Sequence, residues 1–241
     1  MSKAIVKSIF TIGLLTLLLV APLAGASVNK SVTIEAGSES DGASSVNGSV
    51  TVEEGAVVTG EVSTVNGKVR IEDDARVGEA STVNGRVAVG DNVTAATLET
   101  VNGSISVGEG GDISGSVGAV NGSIELDSGT TVGGNVANVN GDIDVTATAI
   151  GGNIESVNGN LYLRDGSVVK GDIVIEKPSF WSFGNKNSST PKIMIGPGAV
   201  VEGKIIVERE VELYISDSAE VGGVEGAMSM DDAIRFSGDT P

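Results

Sequence analysis

The chain has 241 residues, with 32 Asp+Glu against 15 Lys+Arg and neither cysteine nor histidine. Without those two residue types there is no disulfide staple, no imidazole metal site, no His-based triad and no imidazole general base. A formal net charge of −17 makes nucleic acid and anionic membranes poor partners, because both are held through basic side chains.

Residues 1–26 read as a signal peptide. Lys3 and Lys7 form a positive start, Ile9 to Val20 is an apolar run shorter than a membrane span, and Ala24-Gly25-Ala26 is an A-x-A cleavage site before Ser27. The expected product is exported to the periplasm or the extracellular space, with no stable membrane insertion after cleavage. Its balance would be 13 Lys+Arg against 32 Asp+Glu. Like charge of that size keeps an edge-rich β-protein from associating non-specifically.

From residue 27 the chain repeats itself. Val-Asn-Gly occurs seven times, starting at Val46, Val65, Val83, Val101, Val120, Val139 and Val157, with steps of 18 or 19 residues. A degenerate copy, Val28-Asn29-Lys30, lies 18 residues before the first. A short fixed period means a solenoid in which each repeat forms one coil. Three short apolar stretches recur per unit, such as Val50 and Val52, then Val58, then Val62. Their period-2 spacing in β-branched residues, broken by Gly, Asn and Asp, predicts three strands per coil and no helix. The expected fold is an all-β, single-stranded parallel β-helix of about ten coils over residues 27–227, about 48 Å long at one strand spacing per coil. Coil lengths that vary between 18 and 19 favour the right-handed form.

The Asn-Gly pair suits a corner, because both residues accept φ > 0. Stacking places Asn47, Asn66, Asn84, Asn102, Asn121, Asn140 and Asn158 above one another, so each amide can bond the next in a buried structural ladder. Asn47, Asn102 and Asn121 also read as N-x-S/T, but burial in the ladder argues against glycans. A second column is acidic: Glu54, Asp73, Asp91, Glu109 and Asp165, interrupted by Ser128 and Ala147 and flanked by Glu53, Glu72, Asp74 and Asp127. Its interruptions, and the lack of a G-G-x-G-x-D nonapeptide, favour solvated turns over a calcium row. We expect no metal and no cofactor. A glycosidase or lyase is disfavoured, since the coils lack cleft-building loops and nearly all aromatics.

The repeat loosens after Val157. Residues 176–191 form an excursion with Pro178 and Pro191, and they hold Phe180, Trp181 and Phe183, three of the seven aromatics. A long excursion between regular elements is a candidate contact site. Coils resume at residue 192, and residues 228–241 read as a C-terminal cap and disordered tail, with Met228, Met230, Ile234 and Phe236 as the apolar cap.

The repeats resemble those of the bactofilins, a polymer-forming bacterial cytoskeletal family. The likeness rests on x-V-x-V after a glycine turn, followed by G-A-x-V-x-G-x-V, as in Gly55 to Val62 and Gly198 to Ile205. It covers most of residues 28–226. It implies a right-handed β-helix that assembles end to end without nucleotide and has no catalytic residues. The expected function is therefore a non-enzymatic, exported scaffold that partners itself as a homo-oligomer or filament. The alternative is a cell-envelope binding module or adhesin that holds glycan or protein through the helix flank and the 176–191 loop.

Overall fold

A computed structural model of the chain describes residues 26–178 and 190–241. The expected export signal, Ala26 apart, and the aromatic trio Phe180, Trp181 and Phe183 lie outside the described residues. Three parallel sheets of 11, 11 and 10 strands run along one axis. Face A begins at Ala26–Ser27, face B at Val32–Ile34 and face C at Glu39–Ser40, and the chain visits the faces in that order in every coil. Each strand between the ends is therefore bonded to the strand one coil before it and the strand one coil after it. The architecture is a parallel β-solenoid of about ten turns.

Alternation decides which side chains enter the core. On face B, Val87 and Val89 are buried while Ala88 faces outward, and in register they sit between Val69 and Ile71 below and Ile105 and Val107 above. Leu98 on face A lies between Ala80 and Val117, and Ile113 on face C lies between Ala95 and Val132. The interior is one continuous aliphatic column in which Leu98, Ile105, Ile113 and Ile124 are fully buried. A lone coil cannot bury its apolar face, so stability is shared between neighbours. The coils on either side of the 176–191 excursion stack directly, with Leu161 on Ile193, Val168 on Val200 and Ile173 on Ile205.

The corners correct one sequence expectation. At the Val-Asn-Gly corner between faces A and B no ladder asparagine has φ > 0, and among its glycines only Gly122 and Gly141 do, with φ of 157 and 126°. The left-handed helical region recurs instead at the turn between faces B and C, at Gly55, Asp74, Asn92 and Gly110, with φ of 66, 58, 55 and 68°. Glycine follows asparagine for another reason, which is the closeness of the adjacent coil. A Cβ on Gly103 would lie 1.7 Å from the Gly85 carbonyl oxygen, and one on Gly85 would lie 1.7 Å from that of Gly67.

The segment read as cap and tail carries more order than expected. A 3-10 turn, Met230–Asp232, leads into strand Ile234–Phe236, which pairs with face B through Tyr214 and Ile234. Met228 packs against the core, and Phe236 is 8% exposed. Met230 and Ile234 are 38% and 51% exposed, so only half of the expected apolar cap covers the end.

The two glycine roles separate in an equilibrium unfolding experiment. Gly55→Asn should be nearly neutral, because Asn92 and Asp74 occupy the same turn position. Gly103→Ala should cost about 1–3 kcal/mol or more through overlap with the neighbouring backbone. Equal denaturation midpoints for the two variants would contradict the close-approach account.

Candidate functional site

The Val-Asn-Gly corner is built as two polar columns. In the outer one, Asn47 Nδ2 donates to Asn29 Oδ1 at 2.9 Å, and Asn66 donates to Asn47 at 2.8 Å. The run continues through Asn84, Asn102, Asn121 and Asn140 to Asn158, each amide donating to the preceding coil at 2.8–3.1 Å. At the far end the Arg209 guanidinium donates to Asn158 Oδ1 at 3.2 Å. Every amide dipole points the same way, and a cation sits where the acceptor end terminates. The ladder runs along an exposed edge: Asn47 to Asn140 are exposed and Asn158 is half-buried. This overturns the expectation that the amides are buried.

The inner column was not read from the sequence. Thr64, Thr82 and Thr100 are buried on face A, and their hydroxyls donate to the carbonyls of Gly48, Gly67 and Gly85 at 2.7, 3.0 and 3.0 Å. Ser45 does the same to Lys30, and Asn138 Nδ2 reaches both Gly122 and Gly141 at 2.8 Å. The signal was present as the Ser or Thr directly before Val in Ser45-Val46-Asn47, Thr64-Val65-Asn66 and Thr100-Val101-Asn102. It is hard to recognise because the same position holds Ala119 in the next coil.

The acidic column also has a structural use. Asp73 Oδ1 accepts the backbone N–H of Asp91 at 2.9 Å, and Asp91 Oδ1 accepts that of Glu109 at 2.8 Å. Charge-assisted bonds of this kind fasten the turn of one coil to the next. Among the described residues, no group of three or more Asp and Glu is placed to hold a metal ion. Surface grooves in these coils are shallow. One, of about 340 Å³, is lined by Lys68, Arg70 and Arg86 beside Ser49 and Thr51.

A different carboxylate row lies on the outside of face A. Glu61 and Glu79 are stacked on successive coils, Ser81 Oγ donates to Glu61 Oε1 at 3.3 Å, and Glu99 follows on the next coil in the Ser81 column. Burial, with the neighbouring Glu79 charge, pushes the Glu99 carboxyl up to about 7. Burial and then Glu61 raise Glu79. Farther along, burial raises Glu155, whose Oε1 accepts from Asn135 Nδ2 at 3.2 Å while Oε2 is buried without a partner.

No protein-family model, no curated protein and no solved structure matches the chain. Among the described residues no helix is long and apolar enough to cross a membrane. The geometry thus defines a class, a parallel β-solenoid with self-stacking polar columns.

Two outcomes follow. Thr100→Val leaves a carbonyl without its donor inside the corner and should cost about 1–3 kcal/mol, whereas Asn102→Ala, on the exposed edge where water replaces the amide, should cost about 1 kcal/mol or less. Chemical denaturation of both variants measures the order, and a larger loss at Asn102 would contradict it. For Glu99 the folded carboxyl is raised above the ordinary glutamate value of 4.5, so its contribution is complete below about 4.5 and is lost as pH rises through about 7. Glu99→Gln should leave the midpoint at pH 4.5 unchanged and raise stability at pH 8 by about 1–2 kcal/mol, after allowance for its partial exposure.

Proposed function

We propose that the protein is an exported, non-enzymatic structural rod, bactofilin-like in habit, that associates end to end in the periplasm or outside the cell. The observation that carries this reading is the difference between the two ends. Among the described residues the terminal strands at both ends have a neighbour on one side only, Ala26–Ser27, Val32–Ile34 and Glu39–Ser40 at the start and Glu220–Val221, Val224–Gly226 and Ile234–Phe236 at the finish. The ends therefore differ in how the apolar interior is covered. Val32 and Ile34 are only partly buried, and Val28 is 65% exposed. An open strand edge over a partly covered apolar core is a template for pairing with another chain. At the opposite end the turn and strand spanning residues 230–236 fold across the last coil, and Phe236 closes over it.

The asymmetry favours pairing of two copies through their first coils, with the C-terminal cover limiting further growth. Sedimentation and electron microscopy of the purified protein test it directly. Concentration-dependent dimers are expected, abolished by Ile34→Lys, which places a charge on the open end. Deleting residues 228–241 should extend the dimers into filaments. A strict monomer for both the full chain and the truncation, at high concentration and moderate salt, overturns the proposal.

A further inference from the structure

Both tyrosines of the chain stand on the outside of face B, although 52 residues separate them. Tyr162 is in register with Met194, Met194 with Tyr214, and Tyr214 with Ile234. They form an unbroken outward column over the last four coils, so the two rings lie two strand spacings apart, about 10 Å. Elsewhere along this column the outward residues are Thr51, Arg70, Ala88, Ser106, Glu125 and Asp144. Face B therefore changes from polar to aromatic at Tyr162.

The column is a built surface. Met194 faces outward yet is 3% exposed. A cation lies against each tyrosine ring: the Arg164 guanidinium is 4.9 Å from the Tyr162 centroid, and Lys192 Nζ is 4.6 Å from that of Tyr214. Arg164 is itself fixed by two bonds to Asp144, at 2.8 and 3.0 Å. Lys192 is in register with Glu212, and Tyr214 Oη donates to Glu212 Oε2 at 3.5 Å. Ring orientation is thus set before any ligand arrives, which removes part of the ordering cost of binding.

We propose that this column binds an extended, uncharged polysaccharide. Three features select that occupant. The strip is one residue wide and about 15 Å long at strand spacing, far short of the roughly 800 Å² per partner that a stable protein interface buries. That narrow shape fits one linear glycan chain. The ring spacing is of the order of the disaccharide repeat of a β-1,4-linked glycan, so alternate sugars can lay their C–H faces on the two rings. Three cations beside the strip each have a carboxylate neighbour, Arg164 with Asp144, Lys192 with Glu212, and Arg235 with Asp217 at 4.0 Å, and Asp142 and Asp165 add further carboxylates near Tyr162 and Arg164. In a chain of net charge −17, this disfavours a polyanion, and the cation already held against each ring competes with a polycation. The same groups supply paired donors and acceptors for hydroxyl groups. The site lies on a flank, so it does not depend on pairing at the coil ends.

Isothermal titration of the purified protein with cellohexaose tests the proposal, with chitohexaose as a second neutral probe and oligogalacturonate as the anionic comparison. Saturable binding of a neutral probe is expected, with oligogalacturonate at least tenfold weaker. Tyr162→Ala and Tyr214→Ala should each weaken neutral binding at least tenfold. Tyr162→Phe and Tyr214→Phe should stay within about threefold of the parent, and Thr51→Ala should have no effect. Should an alanine variant fail to fold by circular dichroism, tyrosine nitration of the unaltered protein replaces it, and cellohexaose should protect both rings. The proposal is overturned if neither neutral probe binds, if binding survives both alanine substitutions, or if no protection is seen. It is likewise overturned if the substitutions change only the sedimentation of the protein, which would make the strip a contact between copies.

Discussion

Every coil of this protein lies one strand spacing from a near copy of itself, and that closeness governs which residue each position can hold. A side chain in a parallel stack meets its own counterpart above and below, so a column survives only if its members tolerate one another. At the Val-Asn-Gly corner the spacing is so tight that a Cβ on Gly103 would overlap the Gly85 carbonyl. Glycine is required there by the neighbouring coil, whereas at the turn between faces B and C the left-handed backbone favours Gly55 but also admits Asp74 and Asn92.

The same rule sorts the polar columns by their hydrogen-bonding capacity. An amide carries both donor and acceptor, so asparagine can stack on asparagine through seven successive bonds and end on a guanidinium. An ionised carboxylate only accepts. Asp73 and Asp91 satisfy this by taking the backbone N–H of the following coil. Glu79 and Glu99 have no such arrangement, and burial together with the neighbouring carboxylate of Glu61 and of Glu79, respectively, raises the proton affinity of each. Part of the acidity that sets the net charge thus belongs to the stacking chemistry.

Inward columns leave little room for variation, since each must fill the same aliphatic layer. Outward columns are freer, and it is there that the coils differ. The change from Thr51, Arg70 and Ala88 to Tyr162, Met194 and Tyr214 alters one flank without disturbing Val50, Val69 or Leu161 behind it. Function on such a rod is confined to its flanks and its ends, because the interior is continuous packing.

The sequence by itself determined the solenoid: the period of Val-Asn-Gly set the coil length, and the alternation of Val50-Thr51-Val52 and its counterparts set three strands per coil and their inward faces. It also determined that the asparagines form one column, because equal spacing in the chain becomes vertical alignment once the strands are parallel. Tertiary structure alone decided what lies beside what. It placed the asparagines on an exposed edge, turned Thr64, Thr82 and Thr100 inward onto glycine carbonyls, and carried Arg209 back to the end of the ladder. It also brought Tyr162 and Tyr214 to either side of Met194 across the excursion. Periodicity encodes contacts between equivalent positions, and it carries no information about contacts between unlike ones. Those depend on the side of each strand that faces solvent, on the direction in which each corner turns, and on which residues a break in the repeat brings into register.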